Sequence, residues 1–149
     1  MKKNMLLIAV FLSSLNVLQA QKLAQPVKIE QKGTFVIPSS VQIVVDKKIQ
    51  KSADYIGSNF LKNTGIKPIV SIGKGNKRDG ISFLVDEKIN LPNGYELSVT
   101  KKGVLIKGKS TNGVINGLQT LLQICSAKEV KKGTIPFVKI EDYPRFEWR

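Results

Sequence analysis

Between residues 94 and 124 two hydrophobic periods follow each other almost without a break, and that succession constrains the fold more than any other feature of the chain. Tyr95, Leu97 and Val99 alternate with Glu96, Ser98 and Thr100, a Lys101-Lys102-Gly103 turn follows, and residues 104–107 supply a second strand of matching length. The spacing predicts a β-hairpin with one apolar face. After Gly108, Ser110 or Thr111 is placed to cap a helix in which Val114, Ile115, Leu118, Leu121, Leu122 and Cys125 recur three and four apart. Gly113 and Gly117 lie one turn apart on roughly the same side of that helix. Each costs about 1 kcal/mol against alanine in a helix interior, so close packing is expected to offset the loss. The hairpin just before the helix is the nearest sheet.

A chain of 149 residues has room for one ordinary domain. Residues 1–20 come off that length. Lys2 and Lys3 are a short basic region, residues 5–18 are mostly apolar though interrupted by Ser13, Ser14 and Asn16, and Leu18-Gln19-Ala20 ends on a small residue. They read as a cleavable signal peptide, because the apolar run falls short of the roughly 20 residues a membrane span needs. Export is expected, with no membrane span in the later sequence. The one cysteine, Cys125, falls on the apolar stripe of the helix, so no disulfide can form within the chain. There is no histidine, which removes the usual activator of a catalytic thiol, histidine-based metal sites and the common nucleophile triads.

The formal charge is +13, or +11 once Lys2 and Lys3 are removed. Such a balance suits nucleic acid or an anionic surface. The lysines, however, are spread over loops and polar strand faces, arginine is limited to Arg78, Arg145 and Arg149, and no aromatic residues interleave with a basic cluster to stack bases. The reading adopted is a solvated basic surface without a nucleic-acid partner.

Residues 21–32 form a polar lead with a short extended piece at 27–29. Gly33 opens a strand over 34–37, Pro38-Ser39-Ser40 breaks it, and Val41, Ile43 and Val45 begin another. Asp46 is placed to cap a helix with Ile49, Ala53, Ile56, Phe60 and Leu61 on one face, and Gly65 to end it. Residues 68–72 read as a compact apolar strand, and Ile81, Phe83 and Val85 as the next. The glycine- and lysine-rich stretch 73–80 between them lacks the Gly-Lys-Ser/Thr that opens a helix in a phosphate-binding loop, so a hairpin loop is expected. Asp86 and Glu87 are neighbouring carboxylates. No charged partner for them is evident in the nearby sequence, so they read as solvated strand-end charges rather than an acid/base pair. Residues 134–140 are extended around Pro136, which argues for an edge strand or an unpaired segment. The order of elements specifies an α+β (two-layer α/β) domain, with a mixed, largely antiparallel sheet and two amphipathic helices packed on one face.

Residues 141–149, Glu141-Asp142-Tyr143-Pro144-Arg145-Phe146-Glu147-Trp148-Arg149, break this pattern, with three aromatics and two arginines around a proline. Residues 140–149 resemble the junction in family 20 glycoside hydrolases, the β-N-acetylhexosaminidases. There an Asp-x-Pro-Arg-Phe-x-x-Arg segment leads from a non-catalytic N-terminal domain into the first strand of the catalytic barrel. The run Gly117-Leu118-Gln119-Thr120-Leu121-Leu122-Gln123 resembles the second half of that N-terminal domain. The resemblance covers roughly residues 27–149. It divides the chain into a signal peptide (1–20), an N-terminal lead (21–32), a hexosaminidase N-terminal-like α/β domain (33–140), and a junction with the first residues of the barrel (141–149).

The resemblance implies an exported two-domain enzyme that removes terminal β-linked N-acetylhexosamine from glycans by a substrate-assisted route. In that family the acid, the assisting aspartate, the sugar-binding arginine and the pocket tryptophans belong to the barrel, which takes about 250 residues. Neither Asp86-Glu87 nor Arg149 is a counterpart of these. The expectation is a non-catalytic domain with no catalytic, substrate-binding or metal-binding residue and no cofactor. Its partner is the catalytic barrel, and it reaches glycan only through that barrel. Tyr143, Phe146 and Trp148 are expected to be loosely placed without a barrel to receive them. Two other classes stay open: a free-standing exported carbohydrate- or protein-binding module, for which Tyr55, Tyr95 and Tyr143 are poorly spaced, and a basic nucleic-acid binder, marked by steep salt dependence.

Overall fold

The computed structural model describes residues 32–75, 78–128 and 131–142. The expected signal peptide, the lead up to residue 31 with its extended piece, and residues 143–149 with Phe146, Trp148 and Arg149 lie outside the described residues.

Six strands form the main sheet in the order β3-β2-β4-β6-β5-β8. They are β2 (Gln42–Val45), β3 (Ile69–Ile72), β4 (Gly80–Val85), β5 (Tyr95–Thr100), β6 (Gly103–Gly108) and β8 (Val138–Asp142). A separate two-stranded sheet pairs β1 (Thr34–Val36) antiparallel with β7 (Thr134–Pro136), where Pro136 lies opposite Thr34 in an edge position. The helices are α1 (Ala53–Thr64), preceded by a 3-10 turn (Lys47–Ser52), and α2 (Thr111–Ser126). This is the expected two-layer α+β domain with a mixed sheet.

The sheet has two halves of different character. β5, β6 and β8 are antiparallel neighbours, with Leu97 opposite Ile106 on one side and Ile140 on the other. β3, β2, β4 and β6 run parallel, because α1 carries the chain back between β2 and β3 and the β5–β6 hairpin lays β6 alongside β4. One expected connection is corrected by this order. The stretch 73–79 is not a hairpin loop, since β3 and β4 are parallel and flank β2 on opposite sides. β4 is therefore not the neighbour of β3, and Gly73, at the end of β3, lies beside the Val44 side chain. Alternating apolar residues could not reveal this, because the same pattern serves a strand paired in either direction.

Local sequence fixes the element ends. Asp46 is buried, and its carboxylate accepts from the Lys48 N–H at 2.9 Å and from the Val85 N–H at 3.2 Å. The predicted cap therefore also clamps the end of β4 beside β2, and it caps the 3-10 turn rather than α1 itself. α1 stops where Gly65 turns left-handed (φ 73°) and its N–H returns to the Leu61 carbonyl. Ser110 caps α2 by accepting from the Gly113 N–H at 3.4 Å.

One apolar core fills the space between helices and sheet. Ile56 and Phe60 from α1, and Val114, Leu118 and Leu121 from α2, meet Ile43, Phe83, Ile106 and Leu97, all fully buried. Leu61 departs from its expected place on the buried face and is 41% exposed. Residue 61 follows Phe60 by about 100° around the helix, which carries it out of the stripe once Phe60 faces inward. β3 is the expected apolar strand, and its four residues are all exposed at the sheet's edge.

Candidate docking face

α2 runs sixteen residues without a single Asp, Glu, Lys or Arg, in a chain that holds 24 lysines and arginines. Its inner face is aliphatic and buried. Its outer positions are Thr111, Asn112, Asn116, Gln119, Gln123 and Ser126, with Ile115 and Ile124 half-buried among them. α1 lies alongside, and Gln119 donates to the Tyr55 hydroxyl at 3.3 Å. Along α1, Asn59 donates to the Tyr55 carbonyl at 2.9 Å and Asn63 to the Asn59 carbonyl at 2.8 Å. At the start of α2, Asn116 donates to the Asn93 carbonyl at 3.2 Å. The result is a surface of carboxamides, hydroxyls and one tyrosine, with Tyr55 itself 47% exposed.

Charge depletion together with an exposed tyrosine distinguishes the centre of a protein–protein interface from ordinary surface. Carboxamides satisfied within the layer lose little on being covered, whereas covering unpaired lysines would be costly. The signal was present in the sequence as an uncharged run over residues 110–127. Read for helical period alone, the run shows only its buried stripe.

The carboxylates singled out in the sequence do not form an acid/base pair. Asp86 accepts from the Lys88 N–H at 3.1 Å and lies 3.7 Å from the Lys107 ammonium. Glu87 does have a charged partner, contrary to expectation. Lys48, brought from 39 residues away, donates to it at 2.5 Å, and this hydrogen bond holds the Glu87 carboxyl below its ordinary value. A carboxyl shifted in that direction is a poor proton donor near neutral pH. Both groups are strand-end charges, as expected, but each is ion-paired.

Cys125 is half-buried, and desolvation pushes its thiol up to about 11, which leaves it protonated and inert at neutral pH. Tyr95 is buried, its hydroxyl 2.6 Å from that of Thr120 on α2, and burial raises it above its usual range. Tyr55 is exposed on α1 while Tyr95 is buried, so the two do not share an exposed aromatic row. Among the described residues no group of three His, Cys, Asp or Glu could hold a metal ion, and no helix is long and apolar enough to cross a membrane.

Residues 25–143 match the family described as glycosyl hydrolase family 20, domain 2. A β-hexosaminidase of Porphyromonas gingivalis is 29% identical over 128 residues, a match that takes in 80% of this chain and 16% of that protein. Among solved structures, the N-acetyl-β-hexosaminidase of Streptomyces plicatus superposes with a TM-score of 0.62 at 26% identity, over 80% of this chain and 25% of that one. The chitobiase of Flavobacterium johnsoniae does so with a TM-score of 0.61 at 26% identity, over 85% and 21%. The chain thus spans a quarter or less of the length of each of these relatives.

Proposed function

The chain belongs to glycosyl hydrolase family 20 as its domain 2, and from that premise we propose that it is the non-catalytic domain of an exported β-N-acetylhexosaminidase, seating the catalytic barrel against its uncharged helix face. The observation that carries this reading is the outer surface of α2, sixteen residues without a charge in a strongly basic domain, with Tyr55 of α1 beside it. A domain that acted alone in water would gain solubility from lysines there, as it does on its loops. The family's activity then resides in the barrel. Asp86 and Glu87 are separately ion-paired and the Cys125 thiol is protonated, and neither arrangement performs glycoside hydrolysis. Residues 1–20 are proposed as the signal peptide, with Gln21 the first residue of the exported form.

The test is a chimera in which this chain's residues 25–143 replace the matching domain of the P. gingivalis relative. Chromogenic N-acetylglucosaminide hydrolysis and the melting temperature of the barrel are then followed. The chimera should stay active and melt as one unit. Gln119→Lys with Gln123→Lys should separate the two melting transitions. Unchanged cooperative melting in that double variant would show that the barrel rests elsewhere. Turnover by the chain alone, lost in Glu87→Gln, would overturn the non-catalytic assignment.

A further inference from the structure

Strand direction brings Lys62, Lys67, Lys101, Lys102 and Lys128 to one end of the domain, away from Asp46, Asp86 and Glu87, although Lys47, Lys51, Lys88 and Lys109 lie at the other. β2, β4 and β6 all start there, so the Lys101-Lys102 turn of the β5–β6 hairpin lies beside the start of β4, where the Asp79 N–H donates to the Lys102 carbonyl at 2.9 Å. Both helices end there as well. α1 brings Lys62 in its last turn, and Lys67 follows just before the Ile69 N–H reaches the Val41 carbonyl at the start of β2. α2 ends at Ala127, next to Lys128. These lysines are exposed, and the ion pairs seen among the described residues involve Lys48, Lys107 and Lys139 instead. Asp79 is the acid at this end among the described residues. The opposite end holds Asp46, Asp86 and Glu87, hydrogen-bonded or ion-paired.

Two helix C-termini carry roughly one negative charge between them, which attracts cations but is exceeded several times over by the lysines gathered here. Between the helix ends and β7 lies a cleft of about 360 Å³, within the roughly 300–1,000 Å³ usual for small-ligand sites. Lys128 and Lys132 line it together with Asn63, Thr64, Ser126 and Thr134. Asn63, Thr64 and Thr134 already donate to the backbone carbonyls of Asn59, Phe60 and Lys131. The Asn63 and Thr134 oxygens are left to accept from hydroxyl groups, while that of Thr64 already accepts from the Ile66 N–H at 3.2 Å; the ammonium groups beside them suit a carboxylate or sulfate.

We propose that this end of the domain binds an anionic polysaccharide, one acidic sugar unit entering the cleft between the helix C-termini while Lys101, Lys102 and Lys67 engage its neighbours along the chain. The choice of a polysaccharide among polyanions rests on the family reading. It is also favoured over nucleic acid by two observations: the exposed aromatic among the described residues, Tyr55, is at the first turn of α1 at the other end, and Arg78 is the one arginine among the described residues. The cleft adjoins the docking face at Asn63 and Ser126, while its lysines lie beyond the helix ends.

The experiment measures binding of the 149-residue chain to polygalacturonate and dextran sulfate, with neutral dextran, duplex DNA and phosphatidylglycerol vesicles as comparisons, across a salt series. Both acidic polysaccharides should bind, neutral dextran should not, and affinity should fall log-linearly with salt. Lys128→Gln with Lys132→Gln should weaken binding about tenfold, and so should Lys101→Gln with Lys102→Gln. Lys47→Gln with Lys51→Gln, an equal loss of charge at the opposite end, should stay within about twofold. Melting curves confirm that each variant is folded, and the two lysine-end pairs lie on separate elements, so failure of one to fold leaves the other to decide. Equal losses in all three variants, tighter binding to DNA or vesicles, or no binding to either acidic polysaccharide at low salt would each overturn the proposal. Because binding rather than hydrolysis is read, that failure is separable from failure of the docking reading, which the chimera tests.

Discussion

Gly113 on α2 stands directly against the carbonyl of Gly94 at the start of β5: a Cβ at residue 113 would lie 2.4 Å from that oxygen. One turn further on, a Cβ at Gly117 would lie 2.6 Å from the Ile106 side chain and 3.1 Å from the Tyr95 ring. The two glycines let the helix sit closer to the sheet than any side chain permits, and that closeness offsets their helix-propensity cost.

Gly113→Ala is therefore expected to destabilise the domain by about 2–3 kcal/mol, because backbone rather than a flexible side chain must move. At roughly 2–8 °C per kcal/mol for domains of this size range, that is a melting-temperature fall of more than about 4 °C. Gly57→Ala on α1 is the contrast. Its new methyl meets the Val70 side chain, itself partly exposed on the edge strand, at 2.9 Å. The gain in helix propensity is expected to leave that variant within about 1 kcal/mol of the parent. Equal losses in the two variants would show that helix–sheet closeness is not what the α2 glycines provide.

Asp46→Ala removes the acceptor of two backbone N–H groups, those of Lys48 and Val85, in a buried setting. A loss of about 2–3 kcal/mol by denaturant titration is expected. Asp46→Asn, which keeps an acceptor oxygen, should recover part of it. If alanine and asparagine cost the same, the charge and not the hydrogen bonding would be the contribution.

Stability at alkaline pH should carry a contribution from Cys125. The thiol ionises near 9.0 when free and at about 11 in the fold, so the unfolded state loses its proton first. The raised value means that the stabilisation is complete below pH 9 and declines as pH rises towards 11. Against Cys125→Ala, the parent's melting advantage should narrow over that interval. An advantage constant from pH 8 to 11 would mean that the thiol ionises without unfolding.

The edge strand predicts a solubility effect. Ile69 and Ile72 are 57% and 46% exposed on β3, which among the described residues pairs with β2 and with no other strand. Ile69→Lys with Ile72→Lys should raise the soluble concentration and hardly change the melting temperature, because little buried area is lost and an exposed apolar edge is charged. A large fall in melting temperature would show that this edge is packed more tightly than its exposure indicates.

Much of the fold was legible in residue order because the forces behind it are local. Alternation at Tyr95, Leu97 and Val99, the three-and-four spacing from Val114 to Leu122, the Ser110 cap and the Gly65 stop each act within a few residues, and each is found where the sequence placed it. The run over residues 117–123 and the junction at 140–149 likewise pointed to the family on sequence alone. Tertiary structure decided what depends on distant neighbours. Strand direction put β3 and β4 on opposite sides of β2 instead of joining them as a hairpin, since a strand's alternation is blind to its partner. Pairing across 39 residues supplied Glu87 with Lys48. The uncharged surface shared by Gln119 and Tyr55, and the lysines drawn from four separate stretches to one end, exist only once the helices lie side by side on the sheet, because charge and burial belong to surfaces and a sequence lists only their parts.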